Sequence, residues 1–150
     1  MSAALEPVDK AIARELNADG RCSFTDLAAR VGLSVSAVHQ RVRRLEERGL
    51  IKGYTARLDG NQIGLPLTAL ISLTPTDPAA PDDYPQRLEH IREIESCYSV
   101  AGDESYVLLV RVPSPRDLEE LLRRIREVAK VSTRTTVVLS TPFEGRPAPI

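Results

Sequence analysis

Four arginines, one glutamine and two serines crowd into residues 34–48, SVSAVHQRVRRLEER. This is the chemistry of recognition rather than of bond making. Arginine donates to guanine edges or phosphate oxygens, glutamine pairs with adenine, and serine serves either. At about 100° per residue, Val38, Val42 and Leu45 fall on one side of a helix, and Ser36, Gln40, Arg43, Arg44 and Glu47 point the other way. Ala37, Arg41 and Arg48 flank that free face. Early residues of a recognition helix meet bases, so Ser36, Ala37, Gln40 and Arg41 are the candidates for readout. Arg43, Arg44 and Arg48 are candidates for phosphate contacts, which give affinity without sequence information, and Ser34 joins the set at the start of the helix. The blander reading is a solvated face on which Arg43 and Arg44 pair with Glu46 and Glu47.

What would hold such a helix in place is written just before it. Pro7 suits a first helical turn, and Val8, Ile12 and Leu16 repeat at helical spacing before Asp19-Gly20 stops the run. Ser23-Phe24-Thr25-Asp26 is close to a capping box, with Asp in place of Glu or Gln, and opens a second helix that Gly32 ends. Ser34 then caps a third helix over residues 35–48. Two helices joined by a short Gly-containing turn form a helix-turn-helix. Residues 50–58 alternate and read as extended, a small β wing or a strand leading out, and Asp59-Gly60-Asn61 marks a hinge.

The remainder has another rhythm. Strands are expected at 67–74, 97–101, 106–112 and 131–140, with helices at 85–93 and after the Ser114 cap. In the second of these helices Leu118, Leu121, Leu122, Ile125 and Val128 make the apolar stripe. The order βαββαβ is ferredoxin-like. The fold class is therefore α+β: a helix-turn-helix at 1–52, a linker or wing at 53–66, a ferredoxin-like domain at 67–141 and a Pro-rich tail at 142–150. A four-stranded sheet with helices on one face leaves the other open; Val107, Leu109, Val137 and Leu139 are candidates for it.

Composition fits a folded chain, with 42% hydrophobic and 27% charged residues over 150 positions and a net charge of −1. That net charge hides a difference: residues 1–60 hold ten Lys/Arg against eight Asp/Glu, a balance of +2, and residues 61–150 hold ten against thirteen, a balance of −3. No run approaches the length of a membrane span, and the N-terminus carries no secretory signal. Cys22 and Cys97 lie far apart without a CxxC, which reads as reduced thiols in a cytoplasmic protein. No catalytic triad, metal cluster or phosphate loop stands out. His90 reads as solvated and Cys97 as a small buried residue, while Glu119, Glu120, Arg123 and Arg124 read as surface ion pairs. Neither a cofactor nor enzymatic activity is expected.

Asp19-Gly-Arg21, Leu27-Ala28, Val31-Gly-Leu-Ser34, Arg41-Val-Arg-Arg-Leu-Glu46, Gly49, Ile51 and Gly53-Tyr54 resemble the DNA-binding half of the Lrp/AsnC (feast/famine) transcription regulators. Cys97-Tyr-Ser-Val-Ala-Gly102, Tyr106-Val-Leu-Leu109 and Thr133-Arg-Thr-Thr-Val-Val-Leu139 resemble their effector-sensing RAM domain, so the likeness spans about residues 5 to 141. The resemblance implies a winged helix-turn-helix regulator that dimerises through its ferredoxin-like domains. It also implies assembly to octamers, binding to a pseudo-palindromic double-stranded operator, and an amino-acid effector at inter-subunit crevices. That effector site maps onto Val100, Ala101, Gly102, Asp103, Glu104, Ser105 and Tyr106, with Thr133, Thr135 and Thr136 from the last strand. Many members carry Asp before the Tyr of this motif, suited to an ammonium group; here Ser105 stands there, leaving Asp103 or Glu104 as substitutes. The rival readings are a small ferredoxin-like enzyme and an amino-acid-buffering oligomer without DNA binding.

Overall fold

A computed structural model describes residues 5–150. Three N-terminal helices come first: α1 (Pro7–Ala18), α2 (Phe24–Val31) and α3 (Val35–Glu47). The serine caps form where the sequence places them. The Ser23 hydroxyl accepts from the Asp26 N–H at 3.0 Å, and the Ser34 hydroxyl from the Ala37 N–H at 3.2 Å. Each satisfies one of the orphan donors of a helix start. Between α2 and α3 the chain reverses at Gly32, whose φ of 70° lies in the left-handed region that a β-carbon disfavours. Ile12, Leu27, Ala28, Val38, Val42 and Leu45 close a core among the three helices, with Leu16, Cys22, Val31, Leu33 and Ile51 around it.

Residues 51–66 contain no helix or strand, so the alternation at 50–58 stays unpaired within this single chain. An alternating stretch needs a partner strand to satisfy its backbone, and none pairs with it among the described residues. The Asp59 carboxylate instead organises a turn, accepting from the Asn61 N–H and the Gln62 side-chain amide, each at 2.9 Å. These bonds, Gln62 first, hold that carboxyl below its ordinary range.

The second unit is a four-stranded antiparallel sheet in the order β2-β3-β1-β4. Its elements are β1 (Leu67–Pro75), α4 (Tyr84–Leu88), β2 (Ile94–Ser99), β3 (Tyr106–Val112), α5 (Pro115–Ala129) and β4 (Val131–Val137). This is the expected βαββαβ order, with corrected boundaries. The helix expected at 85–93 is only Tyr84–Leu88, and β2 starts at Ile94 rather than Cys97. Leu88, Ile91 and Ile94 share helical spacing, yet Ile91 is buried from a turn and Ile94 lies in the strand. Ala69, Ile71 and Leu73 of β1, with Leu108 and Val110 of β3, pack under Leu121 and Ile125 of α5.

The opposite face is open. Leu70 of β1, Val107 and Leu109 of β3 and Tyr98 of β2 share it, since Leu70 pairs with Leu109 and Tyr98 with Val107. Val137 is not on that face: it pairs with Ala69 on the helix-covered side, and β4 ends there, leaving Leu139 outside the strand. A shift of one residue in register moves a side chain to the other face. Both cysteines are free thiols, but Cys97 is exposed rather than buried, and partial burial of its sulfur raises its pKa. Arg124, expected in a surface pair on its own helix, bridges to Glu93 at 2.6 Å.

By compactness the chain forms two units. One is the helical N-terminal part up to Arg57 together with Phe143–Ile150; the other is Leu58–Pro142. Within the first, Arg57 lies 3.8 Å from Glu144 and donates to the Gly145 carbonyl at 3.4 Å. No described helix is long and apolar enough to cross a membrane.

Candidate functional site

The free face of α3 is built by its buried one. Val38, Val42 and Leu45 are at most 2% exposed, which seats that side of the helix in the core and turns Ser36, Gln40, Arg43, Arg44 and Glu47 outward. All five are exposed, and Ala37 is half-buried beside them. Among the described residues, Gln40, Arg44 and Arg48 have no side-chain hydrogen bond or ion pair, so their donors are available. Arg43 pairs with Glu47 at 2.9 Å along the helix, both exposed, and such a pair is worth only about 0.3–0.5 kcal/mol. The Ser34 hydroxyl is already committed to capping and also lies 3.2 Å from the Ser36 hydroxyl.

Arg41, expected in base readout, is engaged within the helical unit. Its Nη1 donates to Asp9 Oδ1 at 2.8 Å and to Glu6 Oε2 at 3.0 Å, tying the side of α3 to the first turn of α1. Both contacts, Asp9 first, push the guanidinium further toward its charged form. Asp9, missed from sequence, is buried at 7% exposure. Its signal was an acid beside Val8 and one turn before Ile12, on the apolar stripe of α1. On the opposite flank, the His39 ring lies 4.9 Å from that of Phe24 at the start of α2. One step further, the Tyr54 hydroxyl donates to Glu46 Oε1 at 2.9 Å.

In the sheet unit the expected effector residues are only partly brought together. Val100, Ala101, Gly102 and Asp103 form an exposed turn between β2 and β3, and Glu104 and Ser105 are half-buried. The turn is anchored through its backbone: the Val100 N–H donates to the Ser105 carbonyl at 3.1 Å, and the Ser105 N–H to the Leu73 carbonyl at 3.0 Å. Glu104 forms an ion pair with Arg134 of β4. Tyr106 turns inward, its hydroxyl donating to Asp82 Oδ1 at 2.9 Å, a bond that raises its pKa.

The three threonines do not share one site. Thr133 and Thr135 pair with Leu73 and Ile71 on the helix-covered side, whereas Thr136 pairs with Leu70 on the open face. The Thr133 hydroxyl accepts from Arg126 of α5 at 3.2 Å. Within one chain, the turn therefore lies beside the Glu104–Arg134 pair, and the three threonines are divided between faces.

A family model described as winged helix-turn-helix DNA-binding matches residues 5–52, and one described as the Lrp/AsnC ligand binding domain matches residues 68–148. The chain belongs to the Lrp/AsnC family. It is 58% identical over 146 residues to the HTH-type transcriptional regulator LrpA of Mycobacterium tuberculosis, covering 97% of each chain. It is 38% identical over 140 residues to the leucine-responsive regulatory protein of Escherichia coli K12, covering 90% of this chain and 85% of that one. Among solved structures, it resembles a feast or famine regulatory protein of M. tuberculosis complexed with L-methionine. There the TM-score is 0.94 at 58% identity, covering 95% of this chain and 97% of that one. This Lrp/AsnC member is thus a transcriptional regulator that joins a DNA-binding helix-turn-helix to a ligand-binding domain.

Proposed function

We propose that this regulator reads double-stranded DNA with Ser36, Ala37 and Gln40 of α3, and holds the backbone with Arg43, Arg44 and Arg48. The observation that carries this reading is the exposed Ser36–Gln40–Arg44 face directly opposite the buried Val38, Val42 and Leu45. Gln40, without a hydrogen-bond partner among the described residues, is suited to paired contacts with adenine. Arg44 and Arg48 lie toward the C-terminal half of the helix, where phosphate contacts set register and orientation.

The ligand is an amino acid bound at the turn 100–105, where backbone N–H groups would receive a carboxylate and Asp103 or Glu104 an ammonium group. The similar structure holding L-methionine makes that the first compound to try. The open sheet face supplies the surface for a homodimer and its assembly to an octamer, since Leu70, Val107, Leu109 and Tyr98 form an apolar patch there. A two-fold dimer presents two recognition helices, so the operator is a pseudo-palindrome with half-sites about one helical turn apart or a multiple of it. The protein acts in the cytoplasm and carries out no catalysis, in keeping with relatives that are named as regulators.

The test is a titration of the protein against DNA from upstream of its own gene and against an unrelated fragment, over a range of salt, with and without L-methionine. A preference for one fragment that persists as salt rises, with log affinity falling steeply against log salt, is expected. Equal weak binding to both fragments would sink the DNA-reading proposal. An affinity that ignored methionine and a pool of the other amino acids would sink the effector proposal.

A further inference from the structure

A buried carboxylate needs a reason. Asp9 is 7% exposed, and its side chain pairs with Arg41 at 2.8 Å. An acid in the first turn of α1 complements the helix dipole, but a solvated one would do that as well. What the dipole does not explain is that the acid sits on the apolar side and that α3 sends an arginine to it. Removing a charge from water is costly unless it is paired with good geometry, so burial makes the position of each partner depend on the other. The Asp9 contact reaches one guanidinium nitrogen, Nη1, and so fixes where the end of the Arg41 side chain sits. Glu6, more exposed, adds a second contact at 3.0 Å to the same Nη1.

The consequence for α3 follows from its wheel. Val38, Val42 and Leu45 set the roll of the helix only within the slack of aliphatic packing. Arg41 lies on the flank between that core and the outward Gln40. A fixed bond there, one residue from Gln40, converts a loosely specified roll angle into a narrow one. Base readout demands that narrowness, because a hydrogen bond is lost over a few tenths of an ångström and a few tens of degrees.

We propose that Arg41, held by Asp9 and Glu6, is a positioning residue that fixes the roll of the recognition helix and so sets sequence discrimination, and that it does not itself contact DNA. This rests on the reading of α3 as the DNA-reading element. Asp9, remote from the outward face, then becomes a determinant of specificity that no contact with DNA would reveal.

The experiment measures affinity for the specific fragment and for an unrelated one, together with the salt slope, for the wild type, Asp9→Asn, Arg41→Gln, the double variant and the milder Glu6→Gln. Circular dichroism and thermal unfolding are recorded alongside, and binding is measured well below each midpoint. Asp9→Asn and Arg41→Gln are each expected to lower the ratio of specific to non-specific affinity about tenfold. The double variant should be no worse than either single one, and the salt slope should be unchanged within one unit. Glu6→Gln, whose partner keeps Asp9, should lower the ratio a few-fold in a protein that stays folded.

Arg41→Gln relaxing preference at one base pair while Asp9→Asn left the ratio intact would show that Arg41 reads a base, overturning the proposal. A uniform loss with the slope reduced by about one, again for Arg41→Gln alone, would make it a phosphate contact and overturn the proposal equally. A parallel fall of specific and non-specific affinity in folded Glu6→Gln would mean the network only stabilises the domain. Failure of the wild type to prefer any fragment would instead strike at the reading of α3 itself, and the two failures are thus told apart.

Discussion

The hydroxyl of Tyr54 donates to the carboxylate of Glu46 across 2.9 Å, and its ring packs over Gly20, where an added β-carbon would lie 3.5 Å from the Tyr54 Cδ1. One side chain thereby pins the segment after α3 both to that helix and to the corner between α1 and α2. Burial, and then the bond to Glu46, push the phenol up to about 12. Because the folded pKa lies above that of a free tyrosine, the contribution to stability is complete below about pH 10. It is lost as pH rises through the folded value. In an absorbance titration of tyrosinate, the difference between wild type and Tyr54→Phe should have its midpoint near 12. A midpoint near 10 would mean that the ring is solvated and the segment unpinned.

On the DNA face, Gln40→Ala and Arg44→Ala should fail in different ways. Gln40, central and exposed on that face, is expected to cost about 1–3 kcal/mol on the specific fragment and to relax discrimination at one base position. Arg44 should weaken all fragments alike and lower the salt slope by about one. A competition assay with operator variants, repeated at several salt concentrations, separates the two. Identical behaviour would assign both residues to the backbone.

Local chemistry was legible in the sequence, and distant pairing was not. Ser23, Ser34 and Ser114 each cap the helix that follows, because capping involves neighbours three residues away. The family motifs were legible too, and they placed both halves of the chain. Register was less so: the face chosen by Val137 is decided by its opposition to Ala69, sixty-eight positions earlier, and not by alternation within β4. The early start of β2 is set by β3, against which Ile94 pairs with Val110 through a bulge. Arg41 was placed correctly on the flank of its helix. Its partner lies on another helix, and only tertiary packing brings Asp9 to it. The threonines of β4 divide between faces for the same reason as Val137.

Gly60 should tolerate no side chain. A β-carbon there would lie 2.8 Å from the Leu65 carbonyl oxygen and 3.1 Å from Arg111 Nη1. The Leu65 N–H donates to the Gly60 carbonyl at 2.7 Å, so the backbone has little room to yield. Gly60→Ala is expected to destabilise the sheet unit by about 1–3 kcal/mol, as overpacking does. Chemical denaturation of the intact protein measures this, and an unchanged midpoint would show that the turn relaxes freely.

Gly102→Ala separates fold from ligand at the turn between β2 and β3. The nearest atom to an added β-carbon is Glu104 Oε2 at 3.9 Å, an ordinary contact, and the residue has no left-handed φ. The fold therefore gives no reason for glycine, and the variant should match wild-type stability within about 0.5 kcal/mol. An amino-acid carboxylate seated on the N–H groups of this turn would need the close backbone approach that only glycine allows. Calorimetric titration with L-methionine should then show affinity falling at least tenfold in a protein that unfolds at the wild-type midpoint. Methionine binding unchanged in Gly102→Ala would place the effector elsewhere on the ligand-binding domain.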